Sequence, residues 1–312
     1  MLNFLYCLDS NYNKQFLTSL QSLLDNLSEK VNCFVIHKDS GSLEDLINEI
    51  DFKHEKINKF QVYNYVEKIN NFPNLGNNHV SEATYFRFFL DNYLEETIDN
   101  IVYLDCDIIC FNNPEKILKE LIKKLVKSDY IIGASTEYIN TNKLSEVFNR
   151  LELKNHLYFN AGVMLIDLQK WKMANVQRSL IEIMNKKYER IVFWDQDIMN
   201  CYFDGQYLEI SRYLNFKDYE LNTKGNIIDQ RSIIFLHYAG SKKPWTIPGS
   251  VTNSAKFFHT AYQKVFKIKY LLKNNYRKQA LKDLLKVIFT LKFAKLQFPF
   301  EFVRLSLKTL KK

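Results

Sequence analysis

Short apolar runs and helix-spaced apolar positions take turns along the first half of the chain. Asn3–Leu8 is an apolar run that stops at Asp9. Within Lys14–Leu27, Phe16, Leu17, Leu20, Leu23, Leu24 and Leu27 recur at the spacing of one helix face. Asn32–His37 predicts a second strand, and Ser42–Ile50 a helix with Ser42 as N-cap and Asp45 in its first turn. Lys59–Tyr63 predicts a third strand. After a polar loop, Ser81 stands where it would cap a helix over Glu82–Leu90. Ile101–Leu104 reads as a buried strand, Pro114 opens a helix, and Tyr130–Ala134 is again strand-like. This β-α-β alternation argues for a parallel, doubly wound sheet, in which ligands collect at the carboxyl ends of the strands. Asp9, Asp105 and Asp107 fall at such ends.

The second half is more mixed. Val163–Ile166 predicts a short strand, with Asp167 capping a helix through Trp171. Ser179–Tyr188 and Asp195–Tyr202 have helical character, and Ile233–His237 is a strand running into a polar, glycine-containing loop. From Ala255 onward the pattern is helical, broken near Pro299.

Charge divides the chain at the same place. The net charge is +8, yet residues 255–312 hold fifteen Lys and Arg against two Asp and Glu, a net of +13. Residues 1–254 are therefore mildly acidic, at −5. We accordingly divide the chain into a body, 1–254, and a basic helical C-terminal region, 255–312. Lysines and aromatics interleave in that region, which suits a helical subdomain packed on the body or a helix lying on an anionic membrane surface. No nucleic-acid reader motif is present, so no nucleic-acid partner is expected. Five cysteines without a CxxC pair point to a reducing compartment. The opening residues read as a strand and not as a signal peptide, and no run approaches 18 apolar residues. The expected location is cytoplasmic, with peripheral attachment to the inner face of the cell membrane through the basic region.

Four segments carry candidate chemistry. In Val102-Tyr103-Leu104-Asp105-Cys106-Asp107 the two carboxylates stand at i and i+2, on one side of an extended segment. They form either a solvated acidic turn or a pair held by a hard divalent cation. His237 ends Ile234-Phe235-Leu236-His237, as a structural residue or as a third ligand; an imidazole nitrogen would shift preference from Mg²⁺ toward Mn²⁺. The following Gly240 would let backbone N–H groups approach a phosphate, and Lys243 would add positive charge there. Trp194-Asp195-Gln196-Asp197 opens a helix, with Asp195 as N-cap or as a site residue. Tyr158-Phe159-Asn160-Ala161-Gly162-Val163 is either a turn before a strand or part of the same site.

These segments, with Leu8-Asp9-Ser10-Asn11-Tyr12 and Thr84-Tyr85-Phe86-Arg87, stand in an order that resembles glycosyltransferase family 8 over roughly residues 1–250. The resemblance implies an α/β GT-A fold, a Rossmann-like mixed sheet flanked by helices. It implies a retaining hexosyltransferase that moves galactose, or otherwise glucose, from a UDP-sugar to a glycan, glycolipid or glycoprotein acceptor. Asp105, Asp107 and His237 would hold Mn²⁺, or Mg²⁺, with Cys106 between the two aspartates also facing the donor. Asp9, Asn11 and Tyr12 would meet uridine and ribose, and Arg87 the diphosphate and sugar. Asn160, Asp195 and Gln196 would surround the transferred sugar, with Gln196 and Asp195 as the catalytic candidates, while Gly240 and Lys243 close over the phosphates. Glu137 departs from the aspartate that relatives often carry there.

Two rival classes remain. A sugar-1-phosphate nucleotidyltransferase would need a Gly-rich basic loop after the first strand, where this chain has Asp9-Ser10-Asn11-Tyr12-Asn13. A non-catalytic membrane-binding module would not need Asp105, Asp107 and His237.

Overall fold

The computed structural model describes residues 1–69, 71–75, 81–137, 141–221, 229–273 and 277–310, without the side chains of 141–144. The strands are β1 (Asn3–Leu8), β2 (Val31–His37), β3 (Ile57–Asn64), β4 (Asn100–Leu104), β5 (Ile108–Cys110), β6 (Ile132–Thr136), β7 (Phe159–Asp167), β8 (Leu208–Glu209), β9 (Phe216–Lys217) and β10 (Phe235–His237). Among the described residues, seven of them form one sheet in the order β3-β2-β1-β4-β7-β6-β8. The alternating pattern predicts parallel pairing, and β1, β2, β3 and β4 obey it. β7 does not: it runs antiparallel to both β4 and β6. The sheet is mixed, as the resemblance implied.

Side chains alternate between the two faces of each strand. Phe4, Tyr6 and Leu8 of β1 pack with Phe16, Leu17, Leu20 and Leu24 of α1 (Asn13–Asn26), Leu43 of α2 (Ser40–Glu49) and Leu118 and Leu125 of α4 (Glu115–Lys127). Leu5 and Cys7 face the other way, onto the 82–89 segment, Leu90 of α3 (Leu90–Tyr93), Trp171 of α6 (Leu168–Met173), Leu180 of α7 (Val176–Lys186) and Ile198 of α8 (Trp194–Phe203). Between β6 and β7 lies α5 (Thr141–Leu151), and α9 (Asp218–Leu221) follows β9.

Several local expectations are corrected. Asp39, not Ser42, caps α2, its side chain accepting from the Ser42 N–H, so the helix starts at Ser40. The helix expected over Glu82–Leu90 is a 3₁₀-helix over Glu82–Phe89 that runs into α3, with Ser81 capping it as predicted. Asn160–Gly162 lie inside β7, whose nine residues are all buried, and not in a turn before it. There the β6–β7 register jumps, Ala134 facing Met164 and Ser135 facing Asn160, an irregularity that locally re-aims side chains.

A second sheet, β5-β10-β9, brings distant chain segments together. His237 is level with Ile108 of β5 and Lys217 of β9. From β10 the chain passes through α10 (Ile247–Ser250) and α11 (Ala255–Phe266). Phe258, Ala261 and Tyr262 of α11 share a core with Leu236, Tyr238 and Trp245. The last helices, α12 (Arg277–Phe289) and α13 (Pro299–Thr309), build a small core from Ala280, Leu284, Val287 and Phe302 around Ile247, Tyr270 and Leu272. Pro299 starts α13 at a position where its missing N–H costs nothing; the helical break lies before it. No helix among the described residues is long and apolar enough to cross a membrane.

Candidate functional site

A cavity of about 840 Å³ opens at the carboxyl ends of β1 and β4. Asp105 and Asp107 reach it because the chain leaves β4 extended and turns directly into β5. The pairing of β5 with β10 then sets His237 beside them, and the Tyr238 N–H donates to the Asp107 carbonyl at 3.0 Å. One ligand atom from each of Asp105, Asp107 and His237 lies within 4.8 Å of the others.

The imidazole orientation is fixed from behind. His237 Nδ1 lies 2.8 Å from Asn215 Oδ1, an acceptor, so Nδ1 carries the proton and Nε2 presents a lone pair. Nε2 sits 3.3 Å from Asp107 Oδ1, a buried oxygen with no hydrogen-bond partner. A lone pair and a carboxylate oxygen at that distance repel unless a cation lies between them. Two carboxylates and one imidazole therefore fit a divalent ion of the Mn²⁺ or Mg²⁺ kind. Gly162 makes room for the ring: a Cβ there would collide with His237 Cε1.

Lys243 donates to Asp107 Oδ2 and, at 2.8 Å, to the Tyr238 carbonyl. Burial raises the Asp107 pKa, but the Lys243 ammonium overcomes it and holds the carboxyl well below the usual range. Gly240, with φ +84°, turns the loop that brings Lys243 back to the cavity.

The opposite wall is a second polar network. Arg87, almost wholly buried, lies over the Tyr103 ring, 3.9 Å from its centroid. It donates to Asp105 Oδ1 at 2.8 Å and to the Ala161 carbonyl at 2.7 Å, and its Nε is 3.2 Å from Asp195 Oδ2. That Nε donates to the Thr84 carbonyl instead, which leaves Asp195 Oδ2 ion-paired but not hydrogen-bonded. Burial pushes the Asp195 pKa up to about 6, against the pull of Arg87 and of the Thr84 hydroxyl.

Asp195 does not cap α8, whose N-cap is Phe193; Asp197, a turn into the helix, reaches back instead. Asp197 Oδ2 accepts from the Val192 and Phe193 N–H groups at 2.8 Å each and from Arg150 at 2.7 Å. Trp194 takes φ +47° between them, which swings Asp195 and Gln196 into the cavity. Gln196 Oε1 accepts from Asn160 Nδ2 at 3.0 Å and from the Ala161 N–H at 3.1 Å.

Tyr12, Arg87, Asp105, Cys106, Asp107, Asn160, Asp195, Gln196, His237, Gly240 and Lys243 all line this cavity. Asp9 and Asn11 stand outside its walls: Asp9 Oδ1 accepts from the Asn11 N–H at 2.9 Å, capping its own turn, and Asn11 is exposed. The Cys106 thiol packs with Val102 and Leu104, and burial keeps it protonated. Sequence reasoning missed Asn215 and Lys217, and gave no role to Thr84 and Tyr103 inside the segments it singled out. Lys217 Nζ lies 3.5 Å from Glu137 Oε1 and donates to Asn215 Oδ1 at 3.2 Å, and Glu137 Oε1 accepts from Asn160 at 2.8 Å. The only signal for Asn215 and Lys217 was a polar–apolar–polar triplet around Phe216, too short to mark a strand.

The family model described as glycosyl transferase family 8 matches residues 3–247. The chain belongs to that family. Among similar proteins, the lipopolysaccharide 1,3-galactosyltransferase of Salmonella typhimurium is 26% identical over 263 residues, covering 82% of this chain and 76% of its own length. A lipopolysaccharide 1,2-glucosyltransferase of Escherichia coli is 26% identical over 270 residues, with the same coverage of each chain. The crystal structure of the galactosyltransferase LgtC with donor and acceptor sugar analogues superimposes with a TM-score of 0.66 at 20% identity, over 85% of this chain and 96% of that one. That likeness shows a shared GT-A fold. For this family 8 chain, a nucleotide-sugar donor and a glycan acceptor are the partners that membership implies, and the nucleotidyltransferase alternative falls away.

Proposed function

We propose that this protein is a retaining, metal-assisted hexosyltransferase that takes its sugar from a UDP-sugar, galactose first and glucose second, and adds it to a lipopolysaccharide-type glycan. The observation that carries the reading is the His237 Nε2 lone pair set 3.3 Å from an unpartnered Asp107 oxygen, with Asp105 alongside. The names of the similar lipopolysaccharide galactosyl- and glucosyltransferases support the acceptor class and the two sugars.

Asp105, Asp107 and His237 would hold the ion, which when bound supplies Lewis-acid neutralisation of the diphosphate. Lys243 would exchange its present partner, Asp107, for a phosphate oxygen, adding a fixed charge where negative charge develops. Asn160, Asp195 and Gln196 would bind the sugar hydroxyls. The bond from the anomeric carbon to the phosphate oxygen breaks, and the acceptor oxygen bonds to that carbon from the same face. The acceptor hydroxyl proton passes to the departing phosphate oxygen. Gln196 is a poor nucleophile, and its carbonyl oxygen already accepts two hydrogen bonds. Asp195 is the cavity carboxylate next to it in sequence, and its attack would give a covalent adduct and a double inversion.

The proton NMR spectrum of the product formed from UDP-galactose or UDP-glucose and a truncated lipooligosaccharide tests the reading. An α-linkage from the α-configured donor is expected, without a glycosyl adduct on Asp195 by intact-mass analysis. A β-linked product would contradict retention, and an adduct on Asp195 would contradict same-face attack.

We further propose that the C-terminal region rests on an anionic membrane surface. Leu281, Leu285 and Phe289 are exposed at four-residue intervals on α12, beside exposed Lys278, Lys282 and Lys286. Apolar residues flanked by cations on one face suit insertion between acidic headgroups.

A further inference from the structure

The segment Tyr270–Lys273, between α11 and α12, crosses behind the nucleotide side of the cavity. The Lys273 N–H donates to the Trp245 carbonyl at 2.7 Å, and its ammonium donates to the Asn11 carbonyl. Trp245 in turn meets Tyr12 edge-on, with ring centroids 5.9 Å apart. Trp245 lies two residues beyond Lys243, and Tyr12 lies at the end of the turn that Asp9 caps. One lysine thus ties together the two loops that carry Tyr12 and Lys243 into the cavity.

The tie is anchored on both sides. Leu271 packs with Trp245, Tyr238 and Phe258. Tyr270 and Leu272 pack with Ile247 and with Leu284 and Phe302 of the last helices. The strut therefore runs from the small C-terminal core straight to the rim of the cavity.

We propose that Lys273 is a positioning residue for the nucleotide half of the donor, holding the Asn11–Tyr12 turn against Trp245, and that the C-terminal helices are thereby part of the donor site. This rests on the UDP-sugar reading above. Holding two loops in their bound arrangement lowers the ordering cost of binding and leaves the chemical step alone. Its removal therefore raises KM for the donor more than it lowers kcat.

The test is calorimetric titration of the full chain with UDP in the presence of Mn²⁺. Lys273→Met is expected to weaken UDP binding about tenfold, with Mn²⁺ affinity in the absence of nucleotide unchanged. Lys273→Arg, which keeps charge and donors, is expected to restore affinity to within about threefold of wild type. Lys308→Met, at an exposed position of α13, is expected to bind UDP like the wild type. Equal UDP affinity in wild type and Lys273→Met overturns the proposal. A wild type that binds no UDP at all sinks the donor reading and this one with it. Hydrogen exchange on the wild type needs no variant: UDP with Mn²⁺ is expected to slow exchange in 9–12 and in 270–273 together, and protection confined to 9–12 would also overturn it.

Discussion

Asp195 is a carboxyl group kept in an environment that disfavours its charge. Its folded pKa of about 6 stands above the ordinary 3.8, chiefly through burial. Between about pH 4 and pH 6 the folded chain therefore binds more protons at this residue than the unfolded chain does. The group's contribution to stability falls as pH rises through that window, and above pH 6 the full cost remains, on the order of 3 kcal/mol. Asp195→Asn removes it. The variant is expected to melt higher than wild type at pH 7.5, by the equivalent of about 1–3 kcal/mol, with the difference vanishing near pH 4. Transfer is expected to drop by about a hundredfold or more, since a charge used in the transition state is lost. A variant less stable than wild type at pH 7.5 would show that Arg87, not burial, dominates this carboxyl group.

At the scale of elements, the bulged stretch of β7 decides the metal site. Gly162 is the one residue on that strand whose missing side chain makes room for His237. Gly162→Ala is expected to leave the sheet intact at a cost of about 1–3 kcal/mol. It is also expected to weaken Mn²⁺ binding at least tenfold, about 1.4 kcal/mol, read by the electron paramagnetic resonance signal of free Mn²⁺. Unchanged Mn²⁺ affinity would remove His237 from the ligand set. The importance of this strand was half legible in the sequence. Asn160 and Gly162 were picked out as candidates, yet Asn-Ala-Gly reads as a turn, because no local pattern announces a bulge in the middle of a buried strand. The antiparallel sense of β7 was hidden for the same reason: pairing direction is set by long-range contacts and not by alternation. Short β9, with Lys217 on it and Asn215 just before it, carried no readable period at all. Asp105 and Asp107 were legible because a strand end and two carboxylates in i, i+2 array are both local features. Asp195 and Asp197 stand two apart at one helix start, both buried, and only their long-range partners, Arg87 for the one and Arg150 for the other, tell them apart.

At the scale of the molecule, an acidic body and a basic C-terminal region share two cores: α11 packs with Leu236, Tyr238 and Trp245, and Ile247 of α10 belongs to the core that α12 and α13 complete. On the membrane reading, the chain is expected to sediment with phosphatidylglycerol vesicles at low salt and to be released as salt screens the lysines. Leu285→Asp with Phe289→Asp is expected to abolish sedimentation without altering UDP release in solution. Failure of the wild type to bind anionic vesicles would leave the exposed face of α12 without that role. The central claim lies in the cavity. It is tested most directly by UDP release from a panel of UDP-sugars, with and without Mn²⁺, by the wild type and by Asp107→Ala. The account predicts slow Mn²⁺-dependent release from one hexose donor, lost in the variant; release that is indifferent to both Mn²⁺ and Asp107, or none from any UDP-sugar, would contradict it.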